Sequence, residues 1–336
     1  MRPALLVILS LSLGAADIAV VPPPTGSDAN VGTVASPYAT LAKALGRAGA
    51  NDTIHLLRGA TYRERPGLDL GSATIVASGP ADAGPALITT SVVVPTLTEG
   101  KDGIFTAKVA ERIEAVWVDG VFCRLARFPN QGWLRNAEGS TADRIVISGG
   151  QPKASWRGAQ LRWRRWSWWW ETRPITGVEG DALRLGPDGR FKDDHTGVGA
   201  ACYVDNCLEE LDAPGEWCQV DGILHLKPPA GSSASPVVEI AIADDNVRCG
   251  AATVRGVGFV RMAGSALRIN GKAVIEDCLF SEIERNGIEG SWNAGGTQIR
   301  NCRFRDVRNV AISWNESREN PGTVFSGNLL ERLKEE

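Results

Sequence analysis

The chain has 336 residues, 43% hydrophobic and 22% charged, with a formal net charge of −3. That is the composition of a folded, soluble protein long enough for one large or two modest domains. The near-neutral charge excludes the basic footprint of a nucleic-acid binder and a polybasic membrane-binding surface.

Residues 1–16 read as a secretory signal. Arg2 is the positive start, Ala4 to Leu13 the apolar run, and Gly14 and Ala16 the small residues before a mature start at Asp17. The apolar run is too short to span a bilayer. A secreted or periplasmic protein, free of the membrane after cleavage, is expected. Pro22, Pro23 and Pro24 make residues 17–36 begin as an extended linker. Asp28, Asn30 and Gly32 mark a turn. Ser36-Pro37 then opens a helix with Ala39, Leu41, Ala42 and Leu45 on its apolar face. Such a helix would cap the open strand edge at a solenoid end. Residues 51–64 predict a strand, a turn at Gly59 and an outward Tyr62, and the β-branched runs over 73–78 and 86–94 predict further strands.

The stretches GSDANVGTVASPYATLAKAL (26–45) and ANDTIHLLRGATYRE (50–64) resemble the opening of exported proteins of the pectate-lyase-like right-handed parallel β-helix superfamily. The likeness returns over 244–333. It implies an extracellular or periplasmic protein of the carbohydrate-active kind.

Residues 105–230 break any coil-length period. Asp119-Gly120 and Asp221-Gly222 stand between short strand signals, the mark of hairpins. We expect an inserted β-sandwich-like region here. VDGVFCRLARFPN (118–130) and LDAPGEWCQVDGILHLKPP (211–229) are similar to segments of sandwiches inserted in β-helix glycosidases of the β-xylosidase type, which favours a glycosidase over a lyase. Within this region Trp163, Trp166, Trp168, Trp169 and Trp170 read as one strand, with Trp166, Trp168 and Trp170 on one side. Both a sugar-binding and a packing use fit them. His195, beside Asp193 and Asp194, reads as a solvated loop residue rather than a metal ligand.

From Val254 onward the chain repeats. VRGVGFVRM, IEDCLFSEI, IRNCRFRDV and FSGNLLERL begin at Val254, Ile275, Ile299 and Phe325, which is 21, 24 and 26 residues apart. A repeat whose units cannot bury their own apolar face is a solenoid. Phe259, Phe280, Phe304 and Leu330 share one place in the unit. Met262, Ile283, Val307 and Leu333 share a second, and Val257, Cys278, Cys302 and Asn328 a third. Leu267, Ile288 and Ile312 come next, in the adjoining strand. The runs are short and alternating, so they are strands. The fold expected is all-β: a right-handed parallel β-helix with an N-terminal capping helix and an inserted β-sandwich-like region. Its parts are a signal at 1–16, cap and first coils at 17–104, the insert at 105–230 and later coils at 231–336. The pattern stops in mid-coil at ERLKEE, so the natural protein is expected to continue, leaving open whether catalytic coils lie beyond residue 336.

Of seven cysteines, Cys278 and Cys302 read as stacked apolar thiols, whereas Cys202, Cys207 and Cys218 offer a disulfide with no pair preferred. Arg255, Glu276 and Arg300 form an outward charged column. The chemistry is expected on the second strand of each coil, in SALRINGK, NGIEGSWNAGG and VAISWNESREN. Glu289 and Glu316 are candidate acid/base and nucleophile, their roles open, since glycoside hydrolysis uses two carboxyls a few ångströms apart. Trp292 and Trp314 would pack on a sugar ring, and Asn293 and Asn315 would bind its hydroxyls. Arg285 and Arg308, adjacent in their coils, are further substrate contacts and would serve a lyase as base and carboxylate clamp. Asp244 and Asp245 are in reserve. No acid cluster with calcium spacing is present, so neither metal nor cofactor is expected. The reading is an exported monomeric glycoside hydrolase acting on a poly- or oligosaccharide. A polysaccharide lyase and a non-catalytic carbohydrate-binding or surface β-helix are the alternatives.

Overall fold

The computed structural model describes residues 15–167, 169–187, 196–243, 245–315 and 321–332, with the backbone alone for 245 and 246. They fall into two compact units, one built from the chain up to Ser91 and from Ala243 onward, the other from Val92–Ile242.

The first unit is the parallel β-helix. Its coils run through three parallel sheets of seven, six and five strands. Coil 1 contributes Asp17–Val20. Coil 2 contributes Thr53–Leu57, Thr61–Arg63 and Leu68–Asp69. Coil 3 is interrupted: Thr74–Ser78 and Ala86–Thr89 precede the second unit, and Asp245–Cys249 comes after it. Coils 4, 5 and 6 are complete. They comprise Thr253–Arg255, Val257–Met262 and Ser265–Ile269; then Val274–Glu276, Leu279–Ile283 and Asn286–Gly290; then Gln298–Arg300, Arg303–Val307 and Val310–Trp314. Coil 7 adds Val324–Ser326 and Leu329–Glu331.

Parallel pairing in register sets like residues above each other. Phe259, Phe280 and Phe304 pair in sequence order and continue to Leu330. Their rings stack at 5.1 and 4.9 Å with interplanar angles of 11° and 8°. Leu267, Ile288 and Ile312 form a second pile. Outside, Arg255, Glu276 and Arg300 alternate in sign, with ion pairs of 2.8 and 3.7 Å. The bend between first and second strands places Gly256, Asp277, Asn301 and Gly327 at φ of 68°, 53°, 52° and 64°. Asp and Asn tolerate this left-handed region better than other side chains. A second left-handed position recurs inside the second sheet at Arg261, Glu282, Asp306 and Arg332. Coils 4 to 7 share this irregularity at the same place, so the ladder skips it and keeps register on both sides.

All seven cysteines are buried free thiols, and Cys202, Cys207 and Cys218 hold no disulfide. Burial pushes Cys123, Cys202, Cys218 and Cys249 up to about 12 and Cys278 well up, so they behave as small apolar groups.

The N-terminal end departs from the sequence reading in three ways. Asp17–Val20 is a strand on Thr53–Leu57, not the start of a linker. The helix spans only Leu41–Leu45. Thr40 caps it through Lys43 N, and Asp28 accepts from the Ala39 and Thr40 amides at 3.0 Å, so the chain becomes helical after Thr40 rather than at Ser36-Pro37. Tyr62 points inward: it pairs with Ile88 in the Phe259 pile, donates to Val20 O at 2.8 Å and accepts from Leu57 N at 2.6 Å. The carboxylate of Glu64, buried, closes the helix start by accepting from Leu41 N at 2.6 Å.

The second unit holds an eight-stranded mixed sheet and a seven-stranded antiparallel sheet, each with its own apolar core. Asp119-Gly120 and Asp221-Gly222 turn two hairpins with positive φ at all four residues. The tryptophan run is not one strand. Gln160–Trp166 and Trp169–Glu179 pair antiparallel, with Trp166 opposite Trp169, so the chain reverses between them. Trp168 and His195 lie outside the described residues.

The ring pile outweighs the charged column. Phe280→Ala should cost about 3–5 kcal/mol in denaturant unfolding, whereas Arg300→Ala should cost under about 1 kcal/mol; equal costs would reverse that ranking. Burial, opposed by the Leu41 and Ala42 amides, raises the Glu64 carboxyl above its ordinary 4.5. Above pH 4.5 the unfolded chain loses a proton that the folded chain still holds, so Glu64 makes stability fall as pH rises through that window. Glu64→Gln should therefore gain on the parent as pH rises from 4.5, read as the difference in unfolding midpoints.

Candidate functional site

On the third sheet of the β-helix, inward Leu267, Ile288 and Ile312 leave the residues beside them facing out. The outward column is Asp69, Arg248, Arg268, Glu289 and Ser313, in register from coil 2 to coil 6. Glu289 is tied down twice. Ser265 Oγ donates to its Oε2 at 2.6 Å, and Arg268 Nε stands 3.5 Å from the same oxygen. Ser265 is itself held: Asn286 Nδ2 donates to its Oγ at 3.1 Å, and Asn309 Nδ2 donates to Asn286 Oδ1 at 2.9 Å. A relay of side chains down the stack thus orients one carboxylate.

Beside it lies a groove of about 660 Å³, within the range of small-molecule sites. Glu289, Arg248 and Arg268 line one side, and Asn270, Ser291 and Asn315 another. Trp292 projects into it and is 66% exposed. Ser291 Oγ is buried in the wall with no hydrogen-bond partner in the protein. The groove therefore offers a fixed acceptor, guanidinium and amide donors, an indole face and an unused hydroxyl.

Three of the residues expected here are placed otherwise. Trp314 shares a column with buried Ile269 and with Gly290, so it turns inward onto the core and meets Phe325 edge-on at 5.4 Å. Two residues after inward Ile312, it has the same strand parity. Gly290 makes room for it, since a Cβ there would sit 2.1 Å from the ring. Arg285 and Arg308 lie at the bend between second and third strands, where Asn309 N bonds Arg285 O and Arg308 N bonds Ile283 O, and neither lines the groove. Glu316 lies outside the described residues, as does Asp244. Asn293 is exposed next to Trp292. Arg248, Arg268 and Asn270 were not anticipated. The signal was present: extending the Glu289 column back by one and two coils reaches both arginines.

The groove sits at the corner where coils differ in length. Between third-sheet and next first-sheet strands lie residues 270–273, 291–297 and 315–323, which are four, seven and nine residues. That accounts for the whole difference among the 21-, 24- and 26-residue spacings. Among the described residues no group of three His, Cys, Asp or Glu side chains could hold a metal.

The same architecture underlies a likeness to known structures. The chain is similar to a solved structure described as "Glycoside hydrolase", with a TM-score of 0.61 and 16% identity over 87% of this chain and 74% of that one. This is a fold shared with a glycoside hydrolase. A complex of XylC with xylose also aligns, at TM-score 0.44 and 12% identity over 95% of this chain and 62% of that one. So does the tailspike protein gp49 from Pseudomonas phage LKA1, at 0.25 and 9% over 81% and 38%. No protein-family model matches the sequence, and no curated protein does.

Gly290→Ala should expel the Trp314 ring and destabilise by about 1–3 kcal/mol. Intrinsic fluorescence and unfolding would read it, and an unperturbed indole would refute the packing described.

Proposed function

We propose that this chain is an exported carbohydrate-active enzyme that hydrolyses glycosidic bonds of a poly- or oligosaccharide on the outer face of the third sheet. The observation that carries the reading is Glu289, oriented by Ser265 and Arg268 beside an exposed Trp292. Donors on both sides suit a carboxylate that accepts, which is the nucleophile or base of glycoside hydrolysis rather than its acid. Trp292 offers its face to a sugar ring, while Asn270, Asn315 and Ser291 offer hydrogen bonds to its hydroxyls. The rung spacing also constrains the partner. A second carboxyl one coil away in this column would lie about 4.8 Å off, near the separation of retaining enzymes, and two coils away about 9.6 Å, at the upper edge of inverting ones. Arg268 and Ser313 occupy the adjacent rungs. The acid partner is therefore drawn from a neighbouring column or from the connection after Trp314, where Glu316 stands in sequence. The signal-like residues 1–16 support export to the periplasm or beyond.

Reducing-sugar release from a panel of plant, algal and bacterial polysaccharides, read beside the absorbance of unsaturated lyase products, tests this. Glu289→Gln should lower kcat by about 10²–10⁴-fold and Trp292→Ala should chiefly raise KM. Unsaturated products, or Glu289→Gln turning over like the parent, would remove the hydrolase reading.

A further inference from the structure

The second unit carries a separate face where a ring cluster adjoins a groove. In its seven-stranded sheet, Arg162 stands directly between Thr172 and Tyr203 on adjoining strands. Leu161, Trp163, Val204 and Ile175 are buried on one side of this sheet. Alternation puts Arg162, Thr172, Tyr203 and Asp205 on the other. At one end of that face the rings of Trp133, Trp170 and Tyr203 gather, with centroids 5.1, 5.6 and 5.8 Å apart. Arg127 lies over Tyr203 at 4.0 Å and over Trp133 at 5.0 Å. Its Nε and Nη2 donate to Pro129 O and Gly132 O at 3.0 and 2.9 Å, pinning the loop that presents Trp133, which is 38% exposed. The platform is thus rigid before any ligand arrives, which lowers the entropy cost of binding.

At the other end the face becomes a groove of about 480 Å³, with Gln160, Arg162 and Thr172 on one wall and Arg112 and Trp217 among those opposite. Asp205 backs it. That carboxylate is 2% exposed, its Oδ2 is 2.6 Å from Arg162 Nε, and its Oδ1 has no hydrogen-bond partner. Burial pushes its pKa up and Arg162 pulls it down. A buried carboxylate with an unfilled acceptor is costly to keep; here it fixes the guanidinium that faces the groove.

Flat rings leading into mixed donors and acceptors suit a ligand with an apolar ring face and many hydroxyls. We propose that this face binds a carbohydrate chain, one sugar on the Trp133–Trp170–Tyr203 platform and the next at Arg162. The site is distinct from the Glu289 groove and does not rest on it.

Affinity electrophoresis of the full chain in gels containing xylan, pectin, alginate or dextran tests the inference, with unfolding temperature as a control for folding. Trp133→Ala should weaken retention by more than about tenfold. Thr172→Trp, which leaves the platform intact and fills the groove, should do the same. Trp292→Ala should leave this retention in place. The inference is overturned if the parent is retained by none of the four. It is equally overturned if both insert variants are retained like the parent, or if Trp292→Ala alone abolishes retention. Product release measured on the same samples keeps the two sites apart: retention without product sinks only the catalytic reading.

Discussion

In-register parallel pairing is the constraint on which everything in the β-helix depends. Each residue of a coil meets its counterpart one rung away, so a choice made once is repeated or compensated along the stack. Inside, the repetition is favourable: the piled rings from Phe259 to Phe304 gain contact with one another and lose water together. Outside, repetition of one charge would repel, and Arg255, Glu276 and Arg300 alternate instead. Even backbone irregularity obeys the rule. The bulge at Arg261, Glu282 and Asp306 is tolerated because coils 4 to 6 make it at the same place, so pairing resumes in register beyond it.

The same constraint explains how a unit as large as Val92–Ile242 enters the solenoid. It replaces one connection within coil 3, between Ala86–Thr89 and Asp245–Cys249. Ala86–Thr89 still pairs with coil 4, and Asp245–Cys249 with coils 2 and 4. The ladder continues because no strand is removed. Chain length between two fixed strands matters little to the stack, since the entropic cost of a longer closure grows only logarithmically.

Much of this was legible in the sequence where a period existed. The columns of coils 4 to 7 came from spacing alone, and both Asp-Gly hairpins from turn chemistry. What could not be read came from places where local signals compete with tertiary ones. Trp314 looked like a surface indole because it sits among polar residues, yet strand parity and the missing side chain at Gly290 draw it in. The reversal between Trp166 and Trp169 has no Gly, Pro, Asn or Asp to announce it. Tyr62 ends a polar stretch but serves the core, its hydroxyl satisfied by backbone groups that no sequence pattern locates. Arg248 and Arg268 follow the insert and stand 20 and 21 residues apart along the column that reaches Glu289, so their signal lay in the spacing and not in any local motif.

The four-, seven- and nine-residue connections beside Glu289 have a consequence of their own. Across coils 4 to 6 this corner is where the connections differ in length by more than a residue. Residues gained or lost there move no rung, so changes in length pass here as they do at the coil 3 connection that carries the second unit. A lineage carrying this scaffold would thus vary in length and side chains along one rim of the solenoid while the interior stayed under strict selection.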